Sequence, residues 1–248
     1  MKRLYLLLLV LFVIAAPASA QFEGEVRFNL EQYLPNQTVS TEFRLISADE
    51  RLMISSQKDV NVITGLKSDG LLVRNDLQDF VFNTGQNQAI KVSKADLDGL
   101  MNLLDRFSGN SGAGGASKTP WKDRIIETEN SRQHLGFDVT EFRLMGEKEG
   151  QYASIWLTND IKVLWGLMTD VWKRAGRQFS DSDFPVELIM NSNSFPMLVE
   201  VFDNDRLVAK FESVSVETEN FDRSAVELPN NKQLIGLTEL MMNMFRQQ

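Results

Sequence analysis

Along most of the chain, apolar and polar side chains alternate with a period of two. Phe22, Gly24, Val26, Phe28 and Leu30 are interleaved with Glu23, Glu25, Arg27 and Asn29. That is a strand with one dry and one wet face. Val39, Thr41, Phe43 and Leu45 repeat the pattern against Ser40, Glu42 and Arg44. Shorter strands are predicted at Arg51–Ser55, Val60–Thr64, Leu71–Asn75, Asp79–Asn83 and Ala89–Ser93. Turn residues such as Ser68-Asp69-Gly70 and Asn83-Thr84-Gly85 separate them, which is how an antiparallel meander reads.

The period then changes. Ser93 and Asp96 form a capping-box pattern, and Leu97, Leu100, Met101, Leu104 and Phe107 follow at helical spacing. The Gly/Ser-rich stretch 108–119 predicts a long loop inside one domain. Beyond it, strands are expected at Asp123–Thr128, Phe137–Met145 and Tyr152–Thr158. In the second of these the apolar parity slips between Val139 and Phe142, which predicts a bulge near Thr140–Glu141.

A second helix is predicted from Asp160 to Ala175, with Ile161, Leu164, Trp165, Met168 and Trp172 as its stripe. Strands Val186–Met190, Met197–Phe202 and Arg206–Val216 come next, the last two joined through Asp203-Asn204-Asp205. A third helix, Leu234–Phe245, carries Leu234, Leu237, Met241, Met244 and Phe245 on one side. The class is α+β: a many-stranded antiparallel sheet with about three amphipathic helices.

Composition narrows the setting. Residues 1–20 read as a cleavable signal peptide: Lys2-Arg3, then unbroken apolar Leu4–Ala15, then Pro17-Ala18-Ser19-Ala20. The apolar run is shorter than the roughly 20 residues that span a bilayer, and no later stretch is apolar enough to cross one. The domain is therefore expected over 21–248, periplasmic or secreted. The chain has no Cys, so there is neither a lipoprotein anchor site, a disulfide nor a thiolate ligand. Lys and Arg number 26 against 34 Asp and Glu, and removing the leader takes the net charge from −8 to −10. That balance argues against nucleic acid as a partner.

Catalytic chemistry is sparse. His134 is the single histidine, beside a predicted turn at Leu135-Gly136, and no nucleophile motif or metal-ligand spacing accompanies it. A surface or loop histidine is the plain expectation. Asp203-Asn204-Asp205 and Asp181-Ser182-Asp183 lack the Gly and distal Glu of a calcium loop and read as turns. No phosphate-binding glycine motif is present. No catalytic, cofactor or metal residue is assigned, and the protein is expected not to be an enzyme; an uncharacterised hydrolase is the least supported reading.

Three segments carry a family resemblance. Phe22-Glu23-Gly24-Glu25-Val26, then Gly136-Phe137-Asp138-Val139 with Ile155-Trp156-Leu157-Thr158-Asn159-Asp160-Ile161, and finally Ser224-Ala225-Val226-Glu227-Leu228-Pro229 resemble a bacterial exported family that bears a domain-of-unknown-function label. That family is distantly similar to periplasmic lipoprotein carriers and outer-membrane lipoprotein receptors of the Lol type. Val139 stands where the family often has Cys. The resemblance implies a half-open barrel, a curved antiparallel sheet with helices on its concave face, and an interior that takes lipid or lipoprotein acyl chains. The helical stripes then supply the candidate ligand-binding set: Leu100, Met101, Leu104, Trp165, Met168, Trp172, Met241 and Met244. If this holds, an apolar cavity of about 300 Å³ or more should lie between helices and sheet. The alternative is a filled core and an envelope protein docked on the outside.

Overall fold

The computed structural model describes residues 21–63, 66–84, 87–99, 121–170, 186–191, 193–228, 232–239 and 242. The leader at 1–20, the Gly/Ser-rich stretch, and six of the proposed lining residues, Leu100, Met101, Leu104, Trp172, Met241 and Met244, lie outside them.

Twelve strands form one open, curved sheet: β1 (Gly24–Leu34), β2 (Gln37–Ala48), β3 (Arg51–Ile63), β4 (Leu66–Arg74), β5 (Asp79–Asn83), β6 (Gln88–Ser93), β7 (Ile125–His134), β8 (Phe137–Met145), β9 (Tyr152–Thr158), β10 (Phe195–Asp203), β11 (Arg206–Glu217) and β12 (Gln233–Gly236). Their spatial order is β12-β6-β5-β4-β3-β2-β1-β11-β10-β9-β8-β7. The meander through β6 follows from short connections between alternating strands. Tight hairpins turn at Asp49-Glu50, Leu135-Gly136 and Asn204-Asp205, each with positive φ at both residues, the primed geometry that matches strand twist.

Along β1–β6 the sheet's two faces have different covers. Val26, Phe28, Leu45, Leu52, Val73, Phe80, Ile90 and Val92 face the main core with Trp165, Leu167, Phe195 and Leu237. On the reverse side, Ile46, Ala48, Leu72, Val81 and Ala89 pack beneath a short 3₁₀ turn at Arg223–Val226. Arg223 fixes that turn through ion pairs to Glu23 and Asp49.

Several expectations are corrected. Val186–Met190 is not a strand: Val186–Ile189 is a short helix, α3. The helix expected from Asp160 begins only at Leu167 (α2, described over 167–170). Before it, Ile161, Val163 and Trp165 are buried while Lys162 and Leu164 are less so. That alternation marks a non-helical run laid on the core, and it competes with the helical spacing in the same residues. Asn75 sets the boundary: its Nδ2 donates to the Leu164 carbonyl and its Oδ1 accepts the Leu167 N–H. A side chain from a distant hairpin thus caps α2, with Gly166 at φ +42° completing the turn.

Near the C-terminus, Gln233–Gly236 is strand, and it runs parallel to β6, so the sheet is not wholly antiparallel. Helix α4 starts at Leu237 (described over 237–239). The two strands expected within 51–64 are one, β3, with register shifts against β4. The capping box is present in α1 (described over 94–99): Ser93 Oγ accepts the Asp96 N–H, and the Asp96 carboxylate accepts the Ser93 N–H.

The bulge expected in β8 lies in its partner. β8 pairs with β9 without interruption, whereas β7 shifts register between Glu127 and Ser131. The extra residues wrap Glu141, whose carboxylate accepts hydrogen bonds from Thr128, Asn130, Arg143 and Ser154. Burial pushes the Glu141 carboxyl up, but those four donors outweigh it and hold it down at about 2, against an ordinary 4.5. Because the folded value is the lower one, this stabilisation is complete above about pH 4.5 and is lost as pH falls toward 2. It amounts to on the order of 3 kcal/mol. Urea midpoints of the wild type should therefore fall across that window, and those of Glu141→Gln should fall less; parallel pH profiles would contradict this.

Candidate functional site

On the main-core face, β1 presents Phe28 and Leu30, β2 presents Phe43 and Leu45, β3 presents Ile54, and β11 presents Phe211. These side chains are in register: Leu30 pairs with Phe211, Phe28 with Phe43, and Leu45 with Ile54. Residues of one parity, aligned across four strands, make a continuous apolar floor. Over it stand Trp165, from the run before α2, and Ile189 and Met190, at the end of α3. Phe195, Pro196 and Val199 of β10 form a side wall. Together with Arg44 of β2, the one charged residue among the described lining, they surround an open, predominantly apolar cavity of about 550 Å³. That volume falls in the range of small-molecule sites and exceeds the expectation from the sequence.

Aromatic rings build the rigid part of the wall. Phe211 and Phe28 stack with centroids 4.6 Å apart, Phe28 lies 5.8 Å from Phe195, and Phe195 stacks on Trp165 at 6.1 Å. The roof is tied down by Thr169, which donates to the Met190 carbonyl at 3.2 Å and so links α2 to α3. The Trp165 indole N–H is buried and has no acceptor among the described residues.

Of the two proposed lining residues that are described, Trp165 is in the wall. Met168 is buried in the adjoining core, 8% exposed, and is not part of the lining. The sequence reading missed the floor residues Phe28, Phe43, Ile54 and Phe211. Their signal was present in the strand alternation that had identified a dry face; only the helical stripes had been taken as lining.

A second cleft, about 290 Å³, opens on the other side of α3. It is lined by Glu127, Thr140, Phe142, Leu157, Asn159, Leu188 and, in the segment past α3, by Asn191, Asn193 and Ser194. Asn191 organises that segment: its Oδ1 accepts the N–H groups of Asn193 and Ser194, and its Nδ2 donates to the Leu188 carbonyl and Ser194 Oγ.

His134 is not in a loop, and it is not among the lining residues of either cavity. It ends β7, and its Nε2 sits 2.8 Å from the Ser213 carbonyl of β11. In a flat sheet those strands would be about 19 Å apart, four steps of about 4.8 Å. The hairpin tip therefore folds over the sheet, and the Arg132 guanidinium lies 4.0 Å from the Trp156 ring centroid. Asp203 and the following Asn204-Asp205 form the β10–β11 hairpin, as expected. Among the described residues, no group of three or more His, Cys, Asp or Glu is placed to hold a metal ion, and no helix is long and apolar enough to cross a membrane.

No family model matches the sequence, and neither does any curated protein. Similar solved structures include PNGF-II, at 13% identity and a TM-score of 0.42, covering 89% of this chain and 32% of that one. The chain thus spans about a third of the length of the PNGF-II structure. A LolA superfamily protein from Nitrosomonas europaea is similar at 11% identity and a TM-score of 0.30, with 84% and 91% of the two chains covered. A DUF1329 family protein from Desulfovibrio piger is similar at 8% identity and a TM-score of 0.26, with 94% and 98% covered.

Proposed function

We propose that this is an exported, non-catalytic protein of the periplasm or extracellular space that binds an acyl chain, free in a lipid or attached to a lipoprotein, between its sheet and its helices. The observation that carries the reading is the apolar cavity of about 550 Å³. A chain entering it gains about 0.8 kcal/mol for each methylene removed from water. The rigid aromatic wall and open mouth suit a flexible, unbranched guest that exchanges. The Lol-type resemblance in the sequence implies the same guest.

Trp165 provides the test, because it lines the cavity. An acyl chain brominated at its middle and esterified to glycerol should quench tryptophan emission saturably. In Trp165→Phe the quenching should fall by more than half, since of the described tryptophans Trp165 alone lines the cavity. Native mass spectrometry of the purified protein should show co-purifying lipid. Absence of both quenching and bound lipid would overturn the proposal in favour of a protein-docking role.

A further inference from the structure

The cleft beyond α3 and the apolar cavity are two ends of one surface. Two cross-strand rows run from one into the other. Val199, in the cavity wall, pairs with Ile155, which pairs with Phe142, which pairs with Glu127. Pro196, also in the cavity wall, pairs with Leu157, and Leu157 with Thr140. Directly paired residues share a sheet face. The face that floors the cavity therefore continues, strand by strand, into the cleft that contains Phe142, Leu157, Thr140 and Glu127. One element separates them, since Leu188 and Asn191 border the cleft while Ile189 and Met190 border the cavity.

The chemistry changes along that path. The cavity is lined by apolar side chains except for Arg44, whose guanidinium is paired with Glu25. The cleft adds Glu127, Thr140, Asn159 and Asn193. Asn191 spends its amide on holding its own loop, but these four side chains make no hydrogen bond or ion pair among the described residues. Their polar atoms include acceptors in every case, and Glu127 is the one charged residue among the described residues that line the cleft. An apolar trough that ends in uncommitted acceptors and a single carboxylate is complementary to a molecule with a greasy tail and a donor-rich head.

Resting on the acyl-binding reading above, we infer that the cleft is a head-group subsite, and that the ligand is an amphiphile whose head is neutral or cationic and donates hydrogen bonds through ammonium, hydroxyl or amide groups. An anionic head is disfavoured by Glu127. Because Glu127 is exposed, its preference for an ammonium over a carboxylate head is modest, about three- to five-fold.

The test compares ligands with the same saturated twelve-carbon chain and different heads: the alkylammonium, the monoacylglycerol and the fatty acid. Each displaces a fluorescent acyl probe from the full-length protein at low salt, below its micelle threshold. The expected order of affinity is ammonium, then glycerol, then carboxylate. Glu127→Gln should shrink the ammonium-to-carboxylate ratio below about two-fold, and should change monoacylglycerol affinity less than it changes alkylammonium affinity. Glu129→Gln, the same charge change on the neighbouring part of β7, should keep the order. Equal affinities for all three heads, or an order that survives Glu127→Gln, would overturn the subsite while leaving the cavity reading intact. Loss of monoacylglycerol binding in Glu127→Gln would overturn it in favour of a structural role. Failure of all three ligands to bind the wild type would overturn the acyl-binding reading itself.

Discussion

Replacing Val199 by Trp should abolish acyl-chain uptake and leave the protein as stable as before. Val199 is on β10, directly paired with Phe211, and its side chain forms part of the cavity wall. In a close-packed interior, adding the bulk of an indole forces strained rotamers and costs about 1–3 kcal/mol. Here the added atoms project into the open cavity of about 550 Å³ beside Phe28 and Phe195, where they gain contacts rather than lose them. The same atoms exclude the guest. Displacing only two methylenes forfeits about 1.6 kcal/mol, and a fully blocked chain forfeits several times that, so affinity should fall by well over ten-fold. Probe displacement and a urea midpoint on the same variant give both readings. A lowered midpoint corresponding to a stability loss of about 1–3 kcal/mol, with uptake intact, would mean that this wall is filled and the ligand sits elsewhere.

The residues that floor the cavity were legible as strand residues. The alternation of Val26, Phe28 and Leu30, and of Phe43 and Leu45, is unbroken in β1 and β2, and register then aligns them without further information. The capping box at Ser93 and Asp96 and the hairpin at Asn204-Asp205 were equally local signals, and both are where the pattern placed them. What could not be read was set by distant partners. Residues 161–165 satisfy helical and alternating spacing at once, and the choice is made by Asn75, whose side chain occupies the start of α2 from another hairpin. Gln233–Gly236 looks like the first turn of an amphipathic helix until β6 offers it a parallel edge.

The parity slip in β8 had a different cause from the one inferred. Val139 and Glu141 are buried on one face while Phe142 and Leu144 are partly buried on the other, so both faces carry apolar residues and no bend is required. The cleft beyond α3 left no signature, because its Glu, Thr and two Asn come from four separate segments of ordinary polar composition. The paired strands alone bring them to one place.

Asp79→Ala should be the most destabilising single change at a polar site, by about 3–5 kcal/mol. Arg74 and Asp79 face each other across the β4–β5 hairpin and form a two-pronged ion pair, Nε to Oδ1 at 2.6 Å and the second guanidinium nitrogen to Oδ2 at 2.7 Å. Their side chains are only 8% and 2% exposed. Lys91, 3.5 Å from the same carboxylate, is far more exposed and can turn to solvent. Removing the carboxylate therefore strands a guanidinium that cannot be deprotonated in a site that water scarcely reaches. The damage should spread to the cavity, because the residue after Arg74 is Asn75, which holds the Leu164 carbonyl and caps α2 beside Trp165. Thermal and urea unfolding should show the loss, and acyl binding should weaken in the surviving folded fraction. Arg74→Met combined with Asp79→Leu removes both charges and keeps the volume, so it should recover most of the lost stability. If the double variant were as unstable as Asp79→Ala, the pair itself, rather than the stranded charge, would be the source of stabilisation.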